Sequence, residues 1–100
     1  MFKQNFIMGV ELDDNLQPLV ITYDIAERDN NKIITSHQSK YERSEYGTVD
    51  ALLKASANML KELKKTHADF TNDDFNTNEA VAYVVSMMMQ NDYITAVELS

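Results

Sequence analysis

Ser36 and His37 are adjacent, and a hydroxyl beside an imidazole is the raw material for a nucleophile and its general base. Neighbours on a strand point to opposite faces, so on the extended segment predicted there the two groups cannot meet. A hydrolase reading fails on that geometry. His37 and His67 stand thirty residues apart and neither belongs to a paired ligand motif, so both read as structural or solvated histidines. Cysteine is absent, which removes thiolate chemistry, cysteine-ligated metals and disulfides, and suits a reducing compartment. Gly9 and Gly47 are the only glycines, too few for a glycine-rich phosphate loop. The stretch Asp69-Phe70-Thr71-Asn72-Asp73-Asp74-Phe75-Asn76-Thr77 invites a calcium reading. With Asp69 in the first position of an EF-hand, Asp74 falls where the turn needs glycine and Ala80 where a bidentate glutamate belongs. The segment reads instead as a solvated loop. These exclusions point to no cofactor, no metal and no enzyme.

What remains is surface chemistry. The net charge is −7 over 100 residues, which argues against direct nucleic-acid binding, since phosphate contacts need a basic face. Residues 1–31 carry a net of −4, residues 32–67 a net of +3 and residues 68–100 a net of −6. Asp13, Asp14, Asp24, Glu27 and Asp29 fall on the predicted turns and outer sheet surface, and Asp69, Asp73 and Asp74 on the later loop. A charge run of this kind is either a solvated face or a patch that meets a basic protein, where complementarity speeds encounter and sets specificity. The run Met87-Met88-Met89 is the second candidate. Methionine fills cores and also serves adaptable binding surfaces. Three consecutive helical residues sweep about 300°, so they cannot all face one small core; Met87 and Met88 are therefore candidate contact residues, with a homodimer among the partners they would serve.

The elements that must position these groups follow from periodicity. Phe6, Met8, Val10 and Leu12 alternate, as do Leu19, Ile21, Tyr23 and Ile25, which predicts two strands separated by Asp13-Asp14-Asn15 and Pro18. Placing every apolar residue on one face sets Leu12 opposite Leu19, Val10 opposite Ile21, Met8 opposite Tyr23 and Phe6 opposite Ile25. A second turn at Arg28-Asp29-Asn30-Asn31 leads to a third strand, with Ile33 expected opposite Ile25, Thr35 opposite Tyr23 and His37 opposite Ile21. Its polar continuation to Tyr46 reads as a solvated edge, which also discourages pairing with another chain. Gly47 breaks this pattern and Thr48 caps a helix over about 49–66, with Val49, Leu52, Leu53, Ser56, Leu60 and Leu63 on one face and Asp50, Lys54, Asn58, Lys61, Glu62 and Lys65 on the other. Asn76 with Glu79 resembles a capping box that opens a second helix running to about Gln90, apolar nearly all round. Tyr93 to Leu99 is either a last short strand or more helix, and the strand is the preferred reading.

The chain is thus expected to be one domain, 1–100, of the α+β class: a three-stranded antiparallel sheet (β-β-β) followed by two α-helices, with a possible short C-terminal strand. The apolar runs Phe6 to Val10 and Val81 to Met89 are too short for a signal core or a membrane span, so a cytoplasmic protein is expected. An Asn- and Lys-rich, Arg-poor bias suits an AT-rich genome such as that of a low-GC bacterium or its phages. The functional expectation is a small acidic protein-binding module: a phage or mobile-element inhibitor whose carboxylates imitate DNA phosphates, evading host defence by blocking a basic nucleic-acid-binding protein or nuclease. The alternative is an assembly factor, chaperone or oligomeric component that docks through the Met-rich helix.

Overall fold

A computed structural model describes residues 2–29, 32–66 and 78–99, and for 2–6, 25–29, 32–37, 66 and 99 the backbone alone. The order is β1 (Phe2–Leu12), β2 (Pro18–Asp29), β3 (Lys32–Glu42), α1 (Arg43–Tyr46), α2 (Val49–Thr66), α3 (Glu79–Gln90) and α4 (Ala96–Leu99). The strands form one antiparallel sheet in the order β1-β2-β3, with the helices following in sequence, an α+β arrangement.

The first hairpin pairs Met8 with Tyr23, Val10 with Ile21 and Phe6 with Ile25, the register that alternation demands. It departs at the turn. A bulge after Glu11 sets Leu12 opposite Pro18 rather than Leu19, so Pro18 is buried and Leu19 is turned outward and exposed. The second hairpin corrects the expected pairing by four residues: Ile25 meets His37, Tyr23 meets Ser39 and Ile21 meets Tyr41. Two residues separate Asp29 from its partner Lys32, and a bulge between Glu27 and Arg28 absorbs one more. An even slip leaves every side chain on its original face, so the face criterion could not detect it. The observed register brings Tyr41 over the core, where its ring meets that of Tyr23 edge-on with centroids 6.3 Å apart.

The helices cover one face of the sheet. Thr48 Oγ1 accepts the Ala51 amide at 3.1 Å and opens α2, which buries Leu52, Leu53, Ser56, Ala57 and Leu60 against Met8, Ile21 and Tyr23. Each fully buried leucine of this face contributes about 1.5–3 kcal/mol relative to an exposed one. Helix α3 adds Val81, Val84, Val85 and Met88 to the same core. Its N-cap is Asn78, whose Oδ1 accepts the Ala80 amide at 2.8 Å; Asn76, expected in that role, lies outside the described residues. The C-terminus of α3 closes in a Schellman motif. The Tyr93 amide donates to the Met88 carbonyl at 2.9 Å and the Asp92 amide to that of Met89 at 3.1 Å, with Asp92 at φ +60°.

The last segment is helical, not a strand. The Glu98 amide donates to Thr95 Oγ1 at 3.3 Å and the Thr95 amide to Glu98 Oε2 at 2.7 Å, a capping box that starts α4. Ile94 reaches the core ahead of it. Arg43–Tyr46 also leaves the edge strand early as a single helical turn, which Gly47 ends at φ +86° with its amide on the Arg43 carbonyl at 2.8 Å.

Candidate functional site

The β1–β2 turn is built around Asp13. Its Oδ1 accepts the amides of Asn15 at 2.9 Å and Gln17 at 3.0 Å, its carbonyl accepts the Leu16 amide at 3.0 Å, and its amide donates to the Gln17 carbonyl at 2.9 Å. This is a three-residue hairpin loop closing on a left-handed residue. Arg43, from α1, donates to Asp13 Oδ2 at 2.7 Å and to the Pro18 carbonyl at 3.3 Å, tying the turn to the end of β3. The Gln17 amide, then the Arg43 guanidinium, hold the Asp13 carboxyl below the usual carboxylate range. Asp13, expected to meet a partner, is thus engaged within its own chain.

The left-handed position belongs to Leu16, at φ +60°. Glycine or asparagine takes that conformation readily, whereas a leucine there costs of order 1 kcal/mol. Its side chain is 62% exposed. Across from it, Tyr83 of α3 is 42% exposed. Between them runs a groove of about 460 Å3 lined by Leu12, Leu16, Asn78, Glu79, Ala80 and Tyr83.

Charge gathers around the same end of the molecule. Arg43 brings α1 to the turn, and the groove brings the start of α3 to it. The adjoining segments 11–14 and 40–45 together with Glu79 hold Glu11, Asp13, Asp14, Glu42, Glu45 and Glu79 against Lys40 and Arg43, a net of −4. Lys40 is occupied by Glu42 at 3.1 Å and Arg43 by Asp13. Glu11, Asp14, Glu45 and Glu79 are exposed and make no ion pair with another described residue.

The other expected contact residues are dispersed. Asp14 is exposed beside Leu16. Asp24 is half-buried between Ile7 and Gln38 in the sheet, and its Oδ1 is enclosed without a hydrogen-bond partner among the described residues. Glu27 and Asp29 lie in β2 where only the backbone is described, and Asp69, Asp73 and Asp74 lie outside the described residues. Met88 is wholly buried and Met87 packs against the core, so Met88 is a core residue of the folded chain; Met89, at 38% exposure, is the outward member of the run. At the far end of α2, Lys61, Lys64 and Lys65 line a smaller hollow with Glu98, which pairs with Lys61 at 3.7 Å.

Sequence reasoning missed Leu16, Tyr83, Glu45 and Glu79 as surface residues. Leu16 had a visible signal: an apolar side chain between turn-forming residues, in Asp13-Asp14-Asn15-Leu16-Gln17. Tyr83 had none, because its exposure depends on how α3 is rotated against the sheet. Among the described residues no group of three His, Asp or Glu gathers to hold a metal ion, and no helix is long and apolar enough to cross a membrane.

Comparison with models of protein families, with curated proteins and with solved structures found no match. Fold and surface alone therefore define the class: an α+β domain with an acidic end that carries an exposed apolar groove.

Proposed function

We propose that this chain is a non-enzymatic protein-binding module, an inhibitor-type protein that covers a basic, nucleic-acid-contacting surface of another protein with its acidic end. The observation that supports this reading is the concentration of carboxylates around the β1–β2 turn, four of them exposed and outside any described ion pair. Spaced carboxylates on a rigid hairpin and helix offer a basic channel the same charge that DNA phosphates offer, without the base edges that carry sequence. A phage-encoded blocker of a host nuclease is one role such a protein fills. The alternative, docking through the Met-rich helix as an assembly factor or chaperone, has less surface to use, since Met88 is wholly buried and Met87 half-buried.

Competition tests the reading directly. Labelled duplex DNA is bound to each of a panel of purified basic nucleases and DNA-binding proteins, and the chain is titrated in while anisotropy is followed. Displacement from at least one of them at 50 mM salt is expected, weakening as salt rises, because the screening length falls from about 10 Å at 0.1 M to about 3 Å at 1 M. Reversal of Glu11, Asp14 and Glu79 to lysine removes the effect. Displacement from none of the panel, or displacement that persists at 1 M salt, overturns the reading.

A further inference from the structure

We propose that the groove between Leu16 and Tyr83 is the anchor site of the interface, and that it takes a large apolar side chain flanked by lysine or arginine from a segment of the partner protein. This rests on the protein-binding reading above and names the partner's chemistry.

Three observations converge on the groove. The first is Leu16 itself. The turn's hydrogen bonds run through the backbone and the Asp13 carboxylate, so nothing in the hairpin requires a leucine at this position. The chain nevertheless places one there, at φ +60° and 62% exposed. Local strain and exposed apolar area are both unfavourable to the free monomer, and strain held in place by a well-determined surround is a mark of functional positions. The second is the wall opposite. Tyr83 presents an exposed ring from a helix whose inner face is fixed in the core by Val81, Val84 and Val85. The groove of about 460 Å3 between them is also lined by Leu12 and Ala80. Its size falls within the range that encloses a small ligand or a few side chains.

The third is charge. Glu79 lines the groove, Asp14 is exposed next to Leu16, and among the described residues no lysine or arginine lines it. An apolar anchor entering here meets carboxylates on either side and an aromatic ring that attracts cations. Flanking lysines or arginines satisfy both. A second copy docking through the same end is disfavoured as the occupant, since it would set the exposed carboxylates of one acidic end against those of the other.

The test uses the whole chain and two synthetic peptides, Lys-Lys-Trp-Lys-Lys and the same sequence with alanine for tryptophan, both with blocked ends. Amide shifts in a 1H–15N spectrum report where each binds. The tryptophan peptide is expected to shift Leu12, Leu16, Ala80 and Tyr83 and to bind about tenfold more tightly than the alanine peptide, the ratio set by burying one large apolar side chain. Leu16→Asn keeps a residue suited to the left-handed position, so it should leave Tm unlowered while weakening the tryptophan peptide about tenfold. Tyr83→Ser should weaken it similarly. Shifts centred elsewhere, equal affinity for the two peptides, or unchanged affinity in Leu16→Asn overturns the proposal, as does a sedimenting dimer that Leu16→Asn dissociates. The two readings fail separately. If Leu16→Asn displaces duplex DNA as well as the native chain does, the groove is refuted and the acidic end stands; if the native chain displaces none, the acidic end itself falls.

Discussion

The Tyr23–Ser56 pair is a buried polar contact that joins the sheet to α2, and it makes a quantitative prediction. Tyr23 is 1% exposed and Ser56 is wholly buried, with the hydroxyl oxygens 2.6 Å apart. Burial pushes the Tyr23 phenol well above its ordinary value, so it stays neutral and able to donate throughout the working pH range. Tyr23→Phe removes one oxygen and keeps the ring that meets Tyr41 edge-on. Ser56 then loses its partner in a site closed to water, a cost of about 1–3 kcal/mol. Ser56 can recover part of this by rotating onto the carbonyl one turn back, so the lower half of that range, about 1–2 kcal/mol, is expected. Ser56→Ala removes the same bond from the other side, and alanine's better helix propensity returns about 0.5 kcal/mol. The double variant loses the bond between the two hydroxyls only once, so it should lose less than the two singles together, with a coupling of about 1 kcal/mol or more. Urea unfolding followed by circular dichroism on all four proteins measures it. Additivity within about 0.5 kcal/mol would refute the claim that each hydroxyl depends on the other.

Three further perturbations test the turns, the ion pair and the sheet. Asp92→Gly relieves the left-handed residue of the Schellman motif and should raise stability by about 0.5–1 kcal/mol, a few degrees in Tm; a lower Tm would mean that the Asp92 side chain does something other than tolerate its backbone. The Asp13 carboxyl is held below its ordinary value of 3.8, so its contribution is complete above the unfolded value and is lost as pH falls through the lower folded one. Thermal melts between pH 7 and 2.5 should therefore show a shallower acid limb for Asp13→Asn than for the native chain, and parallel limbs would exclude the Asp13 carboxylate as their source. A Cβ at Gly9 would sit 2.6 Å from Thr22 Oγ1; Gly9→Ala is expected to cost about 1–3 kcal/mol, and Thr22→Ala in the same chain should recover most of it in the same melts.

How far the fold was legible depended on what each segment risks by being misread. The β1–β2 register was legible because a one-residue slip would send Phe6, Met8, Val10 and Leu12 to the wrong side of the sheet. The β2–β3 register was not, since moving Ile25 from Ile33 to His37 changes no side chain's face. It comes with a bulge between Glu27 and Arg28 and with a ring contact of Tyr41 with Tyr23 that no periodicity records. Helix α2 announced itself through Thr48 and its apolar stripe. Helix α4 did so as well, through Thr95 and Glu98, but the apolar residues around them read equally as a strand. Of the site, the charge was legible and its arrangement was not. Asp13 meets Arg43 across thirty positions of sequence, and nothing short of the fold removes that carboxylate from the free surface and brings Glu79 to the groove that Leu16 lines.

That arrangement matters more than the net charge. Helix α2 starts beside the acidic end, and Lys61, Lys64 and Lys65 lie roughly 18–24 Å further along its axis at 1.5 Å per residue. At physiological ionic strength the screening length is about 8 Å, so a partner near the β1–β2 turn feels the carboxylates there and little of the lysines. On the proposed reading, the basic stretch lowers the total charge without weakening attraction at the acidic end, and it discourages approach of a basic surface from the other side. Rates should show this more clearly than affinities. Reversing Lys61, Lys64 and Lys65 to glutamate nearly doubles the net negative charge, from −7 to −13, yet should change the association rate with a basic partner by less than about threefold. Reversing only Asp14 and Glu79 makes the chain less acidic by four units and should slow association by about tenfold or more at low salt. Stopped-flow rates measured against one basic partner decide between local and total charge: a rate that follows net charge across both variants would mean that the end of the molecule has no special part in the encounter.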